Sequence, residues 1–265
     1  MKTKLLIIKF KQLLQDFPCF SLEKLKLKSF LNIKFFCNTY LLDQEEKNKK
    51  VITKRLTNIE KSKFKIEGFL KEVLIGNILG DAHMRKFNIN EGAKGSARVR
   101  FLQSLAQSDF IYHLYELFKD YCASPPKEGS SLIKESGNTR YNISFATRNL
   151  PCFNELYSLF YNKRVKIIPL NIEELLTPVV LAYWIMGDGS WSGSGVKLHT
   201  NSYTKDEVIL LIESLNNKFN FNSSINVANL AKSQYIIYIP SRNMDQLRSL
   251  VLPYMLSSFH RKLGI

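Results

Sequence analysis

The sequence is short of acids for its bases and short of cysteines for its size. Four cysteines among 265 residues (Cys19, Cys37, Cys122 and Cys152) form no C-x-x-C pair and no dense framework. That spacing excludes a structural zinc site and a disulfide-stapled secreted scaffold, and fits a reducing compartment. The longest uninterrupted apolar run, Val179 to Met186, has eight residues, too few to cross a bilayer, so no membrane partner is expected. Four histidines (His83, His113, His199, His260) lack H-E-x-x-H spacing and are assigned to no metal. Only 23 Asp and Glu stand against 38 Lys and Arg, a net charge of +15 with a pI near 9.6, which points to an acidic partner. What is abundant is core-forming material, 45% hydrophobic and 12% aromatic, too rich for a disordered chain.

The positive charge is uneven. Residues 1–66 carry 15 Lys and one Arg against six acids, a net of +10, leaving +5 for residues 67–265. We read 1–66 as a basic, partly helical extension, with a solvated Lys-rich arm as the alternative. Its apolar run before Lys9 is only four residues and no small-residue cleavage site follows, so a secretory signal is disfavoured. Lys outnumbers Arg 28 to 10 and Asn occurs 21 times, a composition expected of A/T-rich organellar genes.

The rest of the chain reads itself twice. Leu74-Ile75-Gly76-Asn77-Ile78-Leu79-Gly80-Asp81-Ala82 aligns with Leu181-Ala182-Tyr183-Trp184-Ile185-Met186-Gly187-Asp188-Gly189. Downstream, Arg100 to Ser104 aligns with Leu198 to Ser202, and a helical pattern follows each, Ser108–Tyr121 and Lys205–Phe219. Alternation such as Val99/Phe101/Gln103 and Tyr235/Ile237/Ile239 predicts strands with one buried face. Each half then reads αββαββα: a motif helix (about 67–80, about 178–187), a hairpin ending in strand 97–104 or 195–201, a helix, a second hairpin (141–146, 233–239) and a last helix. The expected class is α+β, two pseudo-symmetric halves with antiparallel sheets. The boundaries are 67–165 for the first half, 166–177 for a linker bracketed by Pro169 and Pro178, and 178–265 for the second.

Within each motif helix, small residues invite a close helix pair. Gly76 and Gly80 lie four apart, on one face, and each glycine costs roughly 1 kcal/mol in a helix interior, which asks for a packing reason. In the second half Ala182 and Gly187 supply the small surface, with Tyr183 standing where Gly76 does. Asp81 and Asp188 then fall at the helix C-termini, where the macrodipole disfavours a carboxylate. Two such aspartates brought together call for divalent cations held by hard oxygen ligands.

This pair of motifs resembles the LAGLIDADG homing endonucleases, specifically the single-chain, two-motif type encoded in organellar group I introns. The resemblance covers about 65–265 and includes Leu176-Thr-Pro-Val-Val-Leu-Ala-Tyr-Trp-Ile-Met-Gly-Asp-Gly189, Thr200-Asn-Ser-Tyr-Thr204 and Arg261-Lys-Leu-Gly264. It implies that Asp81 and Asp188 bind the metals, helped by the Gly80 and Gly187 carbonyls, and that Lys166 and Lys262 orient water or offset charge on the scissile phosphate. Gln103 and Asn201, at equivalent points of the two halves, are candidates for the water or metal shell. The family name carries Asp where this chain has Leu79 and Met186, a position that packs or varies among members.

The implied architecture is a saddle of two sheets in the major groove of double-stranded DNA, where all four base pairs are distinguishable. Arg85, Lys86, Asn88, Arg98, Arg100, Arg140, Ser192, Lys197 and His199 are the candidates for its DNA face. The implied activity is cleavage of both strands of a long asymmetric site at an intron insertion point, by a monomer. Mg²⁺ is the implied cofactor, with Mn²⁺ or Ca²⁺ as substitutes and Ca²⁺ not supporting cleavage. The implied location is the mitochondrion, with the chloroplast as alternative. The rival reading is an intron-encoded RNA maturase on the same fold, with its own intron RNA as partner.

Overall fold

Two helices that are apolar on every side can be stable only where every side is covered. In the computed structural model, which describes residues 55–86, 95–132 and 137–265, those helices are the centre of the molecule. Asn88 and residues 1–54 lie outside the described residues. A short helix α1 (Asn58–Ser62) precedes the first motif helix α2 (Gly68–Leu79), and the second motif helix is α6 (Pro178–Asp188). Val73 to Leu79 and Val179 to Met186 are buried without exception. The two pack at very short range. A β-carbon at Gly76 would lie 2.5 Å from the Val180 carbonyl oxygen and 2.8 Å from Tyr183 Cβ. Tyr183 therefore sits against the face that Gly76 leaves bare, and the pairing is asymmetric as its sequence suggests. Thr177 starts α6: its hydroxyl accepts from Val180 N at 3.2 Å and donates to Glu72 Oε2 at 2.7 Å, with Pro178 at the first helical position.

Around this pair each half closes a four-stranded antiparallel sheet. The first contains β1 (His83–Lys86), β2 (Ala97–Ser104), β3 (Lys127–Leu132) and β4 (Thr139–Ala146), in the order β1-β2-β4-β3. Helix α3 (Ser108–Phe118) separates the hairpins and α4 (Asn154–Phe160) ends the half. A two-stranded ribbon follows, β5 (Tyr161–Asn162) with β6 (Val165–Lys166), then the one-turn helix α5 (Ile172–Leu175). The second half repeats the plan after α6: β7 (Gly189–Trp191), β8 (Val196–His199), α7 (Lys205–Phe219), β9 (Ser224–Asn229), β10 (Gln234–Ile239) and α8 (Met244–Val251), with sheet order β7-β8-β10-β9. The chain then runs into a 3-10 segment, Ser257–Leu263. No described helix is long and apolar enough to cross a membrane.

The inner sheet faces carry Val99, Phe101, Ile143 and Phe145 on one side and Val196, Leu198, Ile237 and Ile239 on the other, all buried. Phe101 stacks on Phe145 at 4.7 Å and on Phe118 at 5.4 Å, joining sheet to helix. Truncating such a ring to alanine costs about 3–5 kcal/mol. Residues 55–66 also pack onto this body. Thr57 and Glu60 form a reciprocal capping box at α1, Tyr121 Oη donates to Lys65 O at 2.6 Å, and Ile66 is buried.

Two element boundaries differ from the sequence-based expectation. The helix expected over 108–121 tightens to 3-10 geometry at Lys119. The strand expected over 195–201 ends at His199, because the Thr200 hydroxyl turns in to donate to Tyr235 O at 2.8 Å. That side-chain bond takes a carbonyl of the neighbouring strand and turns the chain out of the ladder.

Candidate active site

The motif helices finish side by side. A β-carbon at Gly80 would stand 3.6 Å from Gly187 Cα, and one at Gly187 would stand 3.5 Å from the Asp81 amide nitrogen and 3.8 Å from Asp81 Oδ2. Asp81 and Asp188 are thereby delivered to one place, each at the negative end of a helix. Gln103, from the end of β2, fastens the first: its Nε2 donates to Asp81 Oδ2 at 2.5 Å. Asp188 lies in a drier position. Burial and then the Asp81 charge push its carboxyl up to about 7, against the pull of Lys166 and Lys262.

One lysine is seated on each helix end. Lys166 Nζ, from β6, donates to the carbonyls of Ile78 at 2.8 Å and Gly80 at 2.9 Å. Lys262 Nζ donates to Ile185 at 3.2 Å, Met186 at 2.7 Å and Gly187 at 2.8 Å. Tyr203 Oη takes the remaining carbonyl, Leu79, at 3.1 Å. Helix C-termini leave carbonyls without intrahelical partners, and here a buried ammonium (Lys262), a half-buried one (Lys166) and a phenol serve them while opposing the dipole, the Ile185 carbonyl also accepting from the Gly189 amide. Burial lowers the affinity of both lysines for their protons, to about 8 at Lys262, although the two aspartates pull the other way. An ammonium has three donors. Lys262 spends all three on carbonyls, whereas Lys166 spends two.

Asn201, aligned with Gln103 in sequence, lies past the end of its strand. It is exposed in the turn beyond β8 and makes no hydrogen bond among the described residues.

The outward face of the first sheet is arginine-rich. Arg85 pairs in register with Arg98, and His83 with Arg100, so all four share the face opposite buried Met84 and Val99. They line a concavity of about 130 Å³. His83, Arg85 and Lys86 also border a second, of about 210 Å³, with Met84, Tyr157 and Arg164. Lys86 falls out of phase with the four, opposite buried Ala97 at the sheet's end. Arg140 is exposed on β4 across from Ser131. On the second sheet Lys197 faces Ser190 and Tyr238, and His199 bonds the Ser190 hydroxyl at 2.9 Å. Ser192 is engaged in its own turn, donating to Gly195 O at 2.9 Å. Burial and the cations around them lower the proton affinity of His83 and His199. His83 and Tyr203 were not singled out from sequence. Only the register, which sets His83 against Arg100, could have marked the former, and the latter's contact spans the two halves.

The donor set can be compared with a cation. Among the described residues no three His, Cys, Asp or Glu side chains cluster as a metal cage. The site offers two carboxylates and carbonyl oxygens that keep a second lone pair after accepting from a lysine. An incomplete, all-oxygen set suits Mg²⁺, which retains waters and completes its shell with substrate phosphates.

The chain is similar to known proteins in sequence and fold. The LAGLIDADG DNA endonuclease family matches residues 71–247. Cytochrome b mRNA maturase bI2 of Saccharomyces cerevisiae is 32% identical over 234 residues, 84% of this chain. The chain spans about half of that protein's length, 54%. A probable intron-encoded endonuclease 1 of Wickerhamomyces canadensis is 33% identical over 73% of this chain and 83% of its own. The homing endonuclease I-WcaI, solved bound to its DNA recognition sequence, superposes with a TM-score of 0.70 at 30% identity, covering 83% of this chain and 96% of that one.

Proposed function

We propose, from the premise that the chain belongs to the LAGLIDADG DNA endonuclease family, that it is a site-specific endonuclease cutting both strands of DNA at an intron insertion point. The observation that carries this reading is the pair of helix-end aspartates, Asp81 and Asp188, brought together over two lysine-capped carbonyl clusters. Asp81 and Asp188 would hold divalent cations with the Gly80 and Gly187 carbonyls, and Mg²⁺ would supply charge for the scissile phosphate and an acidified water. Gln103 fixes the Asp81 carboxylate, so its oxygens need no reorganisation. Lys166 keeps one N–H donor uncommitted among the described residues, available to a water or phosphate oxygen at the junction. Lys262, fully engaged, fixes the position of the Gly187 carbonyl and offsets negative charge from within the protein.

The outward arginines of the first sheet are suited to the guanine edge, which accepts bidentate contacts in the major groove, and to phosphates. Arg140, Lys197 and His199 extend that surface, Ser192 lies in an adjoining turn, and Asn88 completes the proposed set. We take the chain as a monomer of two halves, 67–165 and 178–265, encoded in an organelle. The second reading, an RNA maturase, rests on the 32% identity to the yeast protein that bears that name.

The test is cleavage of the intronless host allele in Mg²⁺ beside the same allele carrying the intron. Cutting of the intronless DNA alone is expected, lost in Asp81→Asn and in Asp188→Asn with binding retained. Full double-strand cleavage by either variant overturns the assignment. Absence of cutting with folded protein, together with faster splicing of the intron RNA, transfers the function to the maturase.

A further inference from the structure

Lys262 is placed by contacts that lie away from the carbonyls it caps. Its position follows from the end of the 3-10 segment Ser257–Leu263, a geometry with poor hydrogen bonds that is uncommon at such length. Three groups pin that end. Arg248, on α8, donates to the Leu263 carbonyl through Nε at 3.2 Å and a second guanidinium nitrogen at 2.8 Å. The same guanidinium lies 5.9 Å from the centre of the Trp191 ring, on β7. Gly264 adopts φ +73° and abuts the same ring: a β-carbon there would stand 2.6 Å from Trp191 Cε2 and Cζ2. Conformation and space both demand glycine at this point. Trp191 is itself three residues past Asp188, on the strand that leaves the motif helix. Arg248, Trp191 and Gly264 therefore join α8, the segment bearing Lys262, and the strand leaving Asp188. The first half has a different arrangement, with Lys166 on a two-residue strand paired to β5.

We propose that Arg248, Trp191 and Gly264 form a latch of positioning residues that holds the Lys262 ammonium on the three carbonyls before Asp188, and so governs the centre that Lys262 serves and not the one that Lys166 serves. The proposal rests on the endonuclease reading above. Loosening the latch frees Lys262 to leave Gly187, and a displacement of an ångström at a reacting centre is enough to cost rate. The effect is confined to one centre, so it appears as unequal cutting of the two strands.

The experiment uses the full chain and the intronless host duplex with each strand labelled separately. Arg248→Met is expected to slow one strand about tenfold more than the other, so nicked duplex accumulates, with Kd for the DNA unchanged. Lys262→Met should slow the same strand, Arg248→Lys should recover part of the loss, and Gly264→Ala should reproduce it. Amide hydrogen exchange over 257–265 should rise in Arg248→Met, while exchange in α2 stays as in the unaltered protein. Equal slowing of both strands, or slowing of the strand opposite to that affected by Lys262→Met, overturns the latch. So does unchanged exchange over 257–265. A native protein that cuts neither strand overturns the nuclease reading instead, and is seen in the same assay before any variant is added.

Discussion

The two halves share one chain path and differ in how each finishes its motif helix. In the first, Asp81 is tied by Gln103, its lysine caps two carbonyls, and the sheet beside it presents three arginines and a histidine outward. In the second, Asp188 has no such glutamine, its lysine caps three carbonyls, and the outward face carries Lys197 among Ser190, His199 and Tyr238. The comparison teaches that backbone symmetry sets where the two centres lie, and side chains decide what each can do. The first half is equipped for anionic contact and the second for a rigid, internally neutralised helix end.

The lysines give the sharpest test of that difference. Removing the ammonium strands the Met186 and Gly187 carbonyls in Lys262→Met, the Ile185 carbonyl keeping the Gly189 amide, and the Ile78 and Gly80 carbonyls in Lys166→Met, and each buried unsatisfied acceptor costs about 1–3 kcal/mol. Lys262 is buried and Lys166 only half-buried, so thermal unfolding should show the larger loss for Lys262→Met, and equal losses would break the comparison. Next in size is binding. Arg98→Gln with Arg100→Gln should weaken DNA binding and flatten the logarithmic salt dependence by about 0.9 for each phosphate left without its arginine, whereas Lys197→Gln should release at most one phosphate. Identical salt slopes for the two variants would deny the first sheet its larger electrostatic share. The smallest effect belongs to the polar pair. Gln103→Ala should slow cleavage about tenfold by freeing Asp81, and Asn201→Ala should leave the rate within a factor of two or so, which single-turnover kinetics would resolve.

Much of this was legible beforehand because repetition marks it. One Gly-Asp pair after an apolar helix is ordinary turn chemistry, but two in register, with matching strands and helices downstream, specify the αββαββα halves and place both aspartates. The lysines were legible only through family resemblance. Their role as carbonyl caps was not, since Lys166 reaches 86 residues back to Gly80 and Lys262 reaches 75 back to Gly187. That the strand stops short of Asn201 was not legible, because alternation cannot reveal that Thr200 turns inward. Lys86 and Arg85 are neighbours in sequence, yet the pleat sends them to opposite faces. Tyr183 in place of a glycine reads as a break in symmetry, and proves to be the knob that fills the space Gly76 leaves.

That last fit has a consequence for anyone who would recombine such proteins. Gly76 abuts the Val180 carbonyl and Tyr183 so closely that neither helix can be exchanged alone. A half taken from a relative brings its own knob or its own gap, and a mismatch there inserts bulk where even a β-carbon would stand 2.5 Å from a carbonyl oxygen. The outer sheets lie away from this contact and are free to diverge strand by strand, while the paired helices must travel together as a single cassette.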